Sequence, residues 1–118
     1  MKNEKLISIV IPIYNGAKYI SNIYTNIMNQ TYRPIELIFV NDGSKDDSEN
    51  VLKDIVKMHN CKSEIKIIIL SGPNGGIAVA RNRGMAASTG EYVMFADQDD
   101  WLEKDCVEKL MQVAGLTD

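Results

Sequence analysis

Three carboxylates fall within four residues of the stretch Phe95-Ala96-Asp97-Gln98-Asp99-Asp100-Trp101, just after an apolar run. Crowded acids at the end of a strand repel one another unless a cation neutralises them, and hard divalent ions take oxygen ligands. Mg²⁺ or Mn²⁺ held by one or two carboxylates shares its other positions with water and substrate phosphates, so the cluster suggests a diphosphate ligand. The plainer explanation is that the acids cap a helix starting near Leu102, which one Asp does and three do at mutual cost. A second candidate is the Gly75-Gly76 stretch, since Gly permits close backbone approach and helix N-termini attract anions. It matches neither G-x-G-x-x-G nor G-x-x-x-x-G-K-[ST], so its specificity as a phosphate cradle is low. Arg81 stands out among small side chains as either a diphosphate contact or half of a structural ion pair. Tyr14-Asn15 and Asn41-Asp42 are two further polar exits from apolar runs, each equally readable as a turn former.

The elements that must position these residues follow from hydrophobic period. Leu6 to Ile13 is a nearly continuous β-branched run, the pattern of a parallel strand covered on both faces. Ile20, Ile23, Tyr24, Ile27 and Met28 then follow helical spacing, with Pro34 as a stop. Ile35 to Val40 predicts a second strand, and Val51, Leu52, Ile55 and Val56 a second helix, with Asp46 and Glu49 at capping-box spacing. Ile65 to Leu70 is a third strand, and Ile77 to Ser88 a helix whose Ala80, Gly84 and Ala87 make a small-residue face for close packing. Tyr92 to Ala96 is a fourth strand, followed by a helix outlined by Leu102, Val107, Leu110, Met111 and Ala114. This alternation predicts an α/β fold: a mainly parallel, Rossmann-like sheet flanked by helices on both faces. In such sheets ligands bind beyond the carboxyl ends of the strands, where all four polar exits lie.

Composition narrows the function. The 118 residues fit one domain, and 45% hydrophobic with 25% charged residues is ordinary globular composition. Thirteen basic against sixteen acidic side chains give a net charge of −3, which leaves no basic field for a nucleic-acid backbone. No apolar run approaches the roughly 20 residues that cross a bilayer, and no signal-peptide pattern opens the chain, so a cytoplasmic location is expected. Cys61 and Cys106 lack C-x-x-C or His spacing and read as free thiols. The single histidine, His59, sits in an apolar-spaced stretch and reads as a packed helix-end residue rather than a catalytic one.

Together, Ile-Val-Ile-Pro-Ile-Tyr-Asn ending at Asn15, Val-Asn-Asp-Gly-Ser ending at Ser44, Gly-Gly-Ile-Ala-Val-Ala-Arg-Asn-Arg-Gly ending at Gly84, and Phe-Ala-Asp-Gln-Asp-Asp-Trp ending at Trp101 resemble family 2 glycosyltransferases. The resemblance spans nearly the whole chain, with four motifs in order at the expected strand ends. It implies the GT-A fold with strand order 3-2-1-4, and a hexosyl-type, inverting, metal-dependent transfer from a nucleoside-diphosphate sugar, UDP-sugars first among them. The acceptor would be a carbohydrate or lipid-linked hydroxyl in polysaccharide biosynthesis, with the longer protein peripheral to a membrane face. Carried over by residue, Tyr14 stacks on the base, Pro12 shapes the turn before it, and Asn15 and Arg81 belong to the donor site. Asp42 accepts from a ring N–H of the base, as suits a carboxylate facing an imide. Asp97 and Asp99 match the Asp-x-Asp, with Asp99 the metal ligand and Asp97 near the metal or the ribose, for Mn²⁺ or Mg²⁺. Asn41 replaces a frequent Asp.

Members of that family run to roughly twice this length or more. Their catalytic base comes from the later half, and no residue here matches it. The expectation is therefore that residues 1–118 are the donor-binding half of a GT-A domain, with the base beyond residue 118 and no transfer by this piece alone. Strand four, as an apolar edge, would then invite pairing with a second copy. Two other readings compete. A sugar-1-phosphate nucleotidylyltransferase would show a basic Gly-rich loop after strand one, for which Tyr14-Asn15-Gly16-Ala17-Lys18 is poor support. A non-catalytic nucleotide-binding module differs from the leading reading only in lacking transfer activity.

Overall fold

The computed structural model describes residues 5–59 and 63–117. In chain order the elements are β1 (Ile7–Ile13), α1 (Ala17–Met28), β2 (Ile35–Asp42), α2 (Ser48–Met58), β3 (Ile65–Gly72), α3 (Ile77–Ala87), β4 (Tyr92–Phe95) and α4 (Cys106–Thr117). The strands form one parallel sheet in the order β3-β2-β1-β4, as expected. Among the described residues, no helix is long and apolar enough to cross a membrane.

Alternation along the central strands assigns each residue to a face. Ile7, Ile9, Ile11 and Ile13 of β1 join Ile35, Leu37 and Phe39 of β2 on one side, packed against Ile20, Ile23 and Ile27 of α1, Leu52 of α2 and Val107 of α4. Val10, Ile38 and Val40 face the other way, toward Ala80 of α3. That second layer is thin because α3 lies close to the sheet: a Cβ on Gly84 would fall 2.3 Å from Cγ1 of Val10. Any larger residue at 84 would push the helix outward, which accounts for the small-residue face.

Ser8 and Glu36, paired across β1 and β2, interrupt the apolar layer under α3. Glu36 is buried and accepts from Ser8 Oγ at 2.7 Å, from the Thr89 backbone N–H at 2.8 Å and from Thr89 Oγ1 at 2.8 Å. Burial works against its charge, yet the bonds from Thr89 and Ser8, with Lys66 nearby, outweigh that and hold its pKa below the ordinary glutamate value. Ser8 Oγ in turn accepts from the Gly90 N–H at 2.9 Å. The cluster thus ties the α3–β4 connection to the floor of the sheet and fixes where β4 begins.

Several element ends differ from the expectation. β2 and β3 run two residues further, to Asp42 and Gly72, because Asn41 still pairs with Ser71 and Asp42 with Gly72; backbone bonding, not side-chain polarity, ends a strand. β4 stops at Phe95. The last helix starts at Cys106 rather than near Leu102. Asn26 of α1 exchanges two 2.8 Å bonds with the backbone of Leu102, and Gln30 bonds Glu103 O at 2.9 Å and the Val107 N–H at 3.1 Å. With those backbone groups satisfied by Asn26 of α1 and by Gln30 just beyond it, the segment has no need of helical bonds. Asp97, Asp99 and Asp100 therefore do not stand at the N-terminus of α4, and the capping explanation for the acidic cluster falls. The Asp46/Glu49 capping box is also not formed, since Glu49 turns to Asn41 and Ser71 instead.

Candidate donor site

The carboxyl ends of all four strands open on one cavity of about 380 Å³. Pro12 of β1 and Tyr14 just after it, Asp42 at the end of β2, Asn74 and Gly76 of the β3–α3 loop, Ile77 at the start of α3, and Asp97 and Gln98 of the β4 exit line it. A wider groove of about 880 Å³ lies at the opposite end, where Lys5, Pro34, Glu64 and Tyr92 precede or begin the strands. The smaller cavity is the candidate site, because it sits at the switch point between β1 and β4 where open α/β sheets bind ligands.

Tyr14, 43% exposed, lines this cavity while its backbone is pinned. The Tyr14 N–H donates to Gln98 Oε1 at 3.0 Å, and Gln98 Nε2 donates to Tyr14 O at 3.2 Å. The amide leaves no room behind it: a Cβ on Gly16 would fall 2.3 Å from Gln98 Oε1. Sequence reasoning missed Gln98, since nothing local marks a residue whose partner lies 84 positions away.

Asn15 has a left-handed backbone (φ 49°), which Asn tolerates. Its N–H donates to Ser44 Oγ at 3.0 Å and its Oδ1 accepts from the Lys45 N–H at 2.8 Å. The next two N–H groups donate to Ser48 Oγ and Asp46 Oδ2, both at 3.1 Å, so the β2–α2 loop caps α1 from outside. Bonds from the Ser48 hydroxyl and then from the Ala17 and Ser48 N–H groups hold the Asp46 pKa below the usual range. Asn15 is therefore part of a brace between loops and, like Arg81 and Asp99, is not among the residues that line the cavity.

Asp42 is buried at the end of β2. Its Oδ1 accepts from the Gly75 N–H at 2.9 Å, and its Oδ2 from the Gly76 N–H at 3.0 Å and Asn74 Nδ2 at 3.3 Å. Gly76, at φ 92°, adopts a backbone few other residues would. These bonds correct the phosphate-cradle reading of Gly75-Gly76: both N–H groups are already turned onto an internal anion. A carboxylate offers about four acceptor positions, so three bonds leave one. Beside it, Asn41 Nδ2 donates to Glu49 Oε1 at 2.7 Å, and Ser71 Oγ to the same oxygen at 2.7 Å. Those two bonds, Asn41's first, hold the Glu49 pKa below its ordinary value. An Asp at 41 could not donate and would face Glu49 with like charge, which gives the Asn its reason.

The β4 exit is looser. The Asp97 N–H donates to Asp100 Oδ2 at 2.7 Å and the Asp100 N–H to Asp97 O at 3.0 Å, closing a tight turn. Arg81 Nη2 lies 3.4 Å from Asp97 Oδ1, with side chains 39% and 51% exposed, and its guanidinium stands 5.6 Å from the Phe95 ring centre. Asp99 is exposed, and no hydrogen bond or ion pair engages it among the described residues. Nor do any three His, Cys, Asp or Glu side chains among those residues gather to hold a metal. Crowding of three acids is thus relieved within the chain, by Arg81 at Asp97 and by the N–H bonded to Asp100. What remains is one free carboxylate at Asp99 and a half-engaged one at Asp97. That oxygen set fits Mg²⁺ or Mn²⁺, which keep waters and phosphate oxygens for the rest of their shell.

His59 is structural. Its Nε2 faces Ile65 O and so carries the proton, while Nδ1, 2.9 Å from Tyr24 Oη, accepts. Burial raises the Tyr24 pKa. Cys106 is a free, half-buried thiol; Cys61 lies outside the described residues.

The four-stranded parallel sheet in the order 3-2-1-4, flanked by four helices, has the GT-A glycosyltransferase fold. The chain belongs to glycosyl transferase family 2, whose family model matches residues 8–116. It is 38% identical over 104 residues to glycosyltransferase GlyA of Streptococcus pneumoniae, covering 88% of this chain and 14% of that protein. Among solved structures it resembles S. aureus TarS 1-349 in complex with UDP-GlcNAc (TM-score 0.72, 28% identity, 95% of this chain and 31% of that one). The mannosyltransferase PcManGT from Pyrobaculum calidifontis, in complex with GDP-Man and Mn²⁺, shares the fold at TM-score 0.82 and 24% identity, covering 99% of this chain and 34% of that one. The chain thus spans about a third or less of the length of each of these.

Proposed function

We propose that this chain forms the donor and metal site of a glycosyltransferase that moves a hexose from a nucleoside-diphosphate sugar, UDP-sugars first, to an acceptor hydroxyl with inversion. The observation that carries the reading is the 380 Å³ cavity where Tyr14, Asp42 and Asp97 meet from three strand ends. Tyr14, pinned by its backbone and exposed, stacks on the base. Asp42, fixed by three donors, has one acceptor position left for a single ring N–H. Uracil and thymine each present one such donor, whereas guanine presents N1–H together with its amino group, so the count favours a uridine or thymidine nucleotide. The solved TarS complex with UDP-GlcNAc supports a nucleotide-sugar donor.

Asp99 and Asp97 would hold a divalent cation, which when bound offsets charge on the departing nucleoside diphosphate. The chain's own part is to hold the base in one orientation and keep the Asp97–Asp100 turn facing the same cavity. Proton removal from the acceptor falls to a base that these 118 residues do not supply, so this piece alone binds donor without transferring sugar. A second copy pairing along β4, which bonds only β1 among the described strands, belongs to the same reading.

The test is calorimetric titration of UDP and GDP, each with and without Mn²⁺. The expected result is tighter binding of UDP, strengthened by the metal. Equal affinity for both nucleotides removes the base assignment, and no binding of either removes the donor-site reading. Transfer activity of the product of the full coding region, absent from residues 1–118, separates the enzyme from a non-catalytic module.

A further inference from the structure

Arg81 is the one cation bonded to the acidic turn among the described residues, and its setting is unusual in three respects. Its bond to Asp97 is 3.4 Å long, well beyond the roughly 2.7–2.9 Å of a strong charge-assisted contact. Its Nε is buried without a hydrogen-bond partner. Its guanidinium is held 5.6 Å from the Phe95 ring centre, so the charge stays near the turn even though neither hydrogen bonding nor Asp97 saturates it. A guanidinium cannot shed its proton to make way for another cation.

We propose that Arg81 is a built-in counter-ion for Asp97 that competes with the divalent cation, so that the cation enters together with the nucleoside diphosphate rather than ahead of it. The inference rests on the metal reading of Asp97 and Asp99. In the nucleotide-free protein, Arg81 cancels one of the two charges a cation would meet, leaving Asp99 to hold it nearly alone. A diphosphate brings fresh negative charge and oxygen ligands, and the long, half-exposed Arg81–Asp97 contact then yields Asp97 to the metal. Arg81 is therefore a positioning residue: it sets the order in which the site fills.

The experiment measures free Mn²⁺ by electron paramagnetic resonance during titration of this chain, with and without UDP, for the wild type, Arg81→Met, Arg81→Lys and Asp99→Asn. Without nucleotide, Arg81→Met is expected to bind Mn²⁺ at least fivefold more tightly than the wild type. Arg81→Lys, which keeps the charge, is expected to stay near the wild type. Because binding couplings are reciprocal, the factor by which UDP strengthens Mn²⁺ binding should shrink in Arg81→Met, and so should the factor by which Mn²⁺ strengthens UDP. Arg81→Gln reads the same quantity should the Met variant fail to fold. Nucleotide-free Mn²⁺ affinity that is unchanged or weaker in the uncharged variants, with binding still abolished by Asp99→Asn, overturns the counter-ion and leaves the metal site standing. No Mn²⁺ binding by the wild type even with UDP removes the metal reading and this inference with it.

Discussion

The two halves of the cavity rim are built differently. On the β2–β3 side, Asp42 is buried and takes three donors from the β3–α3 loop, and the neighbouring loop caps α1 through Ser44, Asp46 and Ser48. On the β4 side, Asp99 is exposed and unengaged among the described residues, and Asp97 has one long contact to Arg81. The first half holds its shape without a ligand. The second spends few bonds on itself and keeps carboxylate oxygens for something else. Preorganisation suits recognition of a rigid planar base, whereas a loosely held acidic turn suits a cation whose remaining ligands arrive with the substrate.

On that contrast, the largest effect of any single change should come from Asp42. Asp42→Asn keeps the shape but replaces charge-assisted acceptors with one neutral oxygen, and an NH₂ group faces N–H donors. The loss of stability should be about 2–4 kcal/mol, with UDP affinity falling more than tenfold. Thermal melting and calorimetry read the two effects. A variant as stable as the wild type would mean the brace is decorative.

Tyr14→Ala removes a stacking face while leaving the backbone bonds to Gln98 in place. Binding of UDP should weaken by about 1–3 kcal/mol, by analogy with base stacking on aromatic platforms, and the melting temperature should hold. A fall in both would make the ring part of the scaffold.

Acid should separate the braced regions from the open turn. Glu36, Asp46 and Glu49 have pKa values held below their ordinary ones, so the unfolded chain takes up protons first as pH falls. Their contribution is fully present above the unfolded carboxylate values, near pH 4–4.5, and is lost as pH drops through the lower folded values. Glu36→Gln should cost about 1–3 kcal/mol at neutral pH, through weakened bonds from Ser8 and Thr89, and should flatten the acid limb of a stability–pH curve. An acid limb identical to that of the wild type would exclude Glu36 from it.

How far this was readable from the sequence depends on the range of the interaction. Strand order came from the family resemblance, whereas element types followed from hydrophobic period, because Ile7–Ile13 and Ile35–Asp42 bury both faces and leave few alternatives. The polar strand exits marked the site for the same reason. What stayed hidden were bonds across long sequence separations: Gln98 to Tyr14, Gly75 and Gly76 to Asp42, and Asn26 and Gln30 to the segment before α4. Each uses a residue that looks like an ordinary loop or helix-surface position. Glu36 was the exception with a usable signal, as a lone acid inside an apolar strand whose parallel neighbour is Ser8.

The smallest expected effect on stability is the most informative about the open half. Asp99→Asn changes an exposed carboxylate that supports nothing, so stability should move by no more than about 0.5 kcal/mol. A similar substitution at Asp42 is expected to cost several times that, although both remove one charge from the same rim. The consequence should appear only in ligand binding: UDP affinity measured without metal stays at the wild-type level, and the increase on adding Mn²⁺ disappears. If Asp99→Asn destabilised the fold as Asp42→Asn is expected to, the turn would be part of the scaffold and the contrast would dissolve. If it changed neither stability nor the Mn²⁺ dependence, the contrast in rigidity would survive while the cation lost its ligand. Melting curves and paired titrations on the same samples distinguish these outcomes, because a scaffold role moves both measurements and a ligand role moves one.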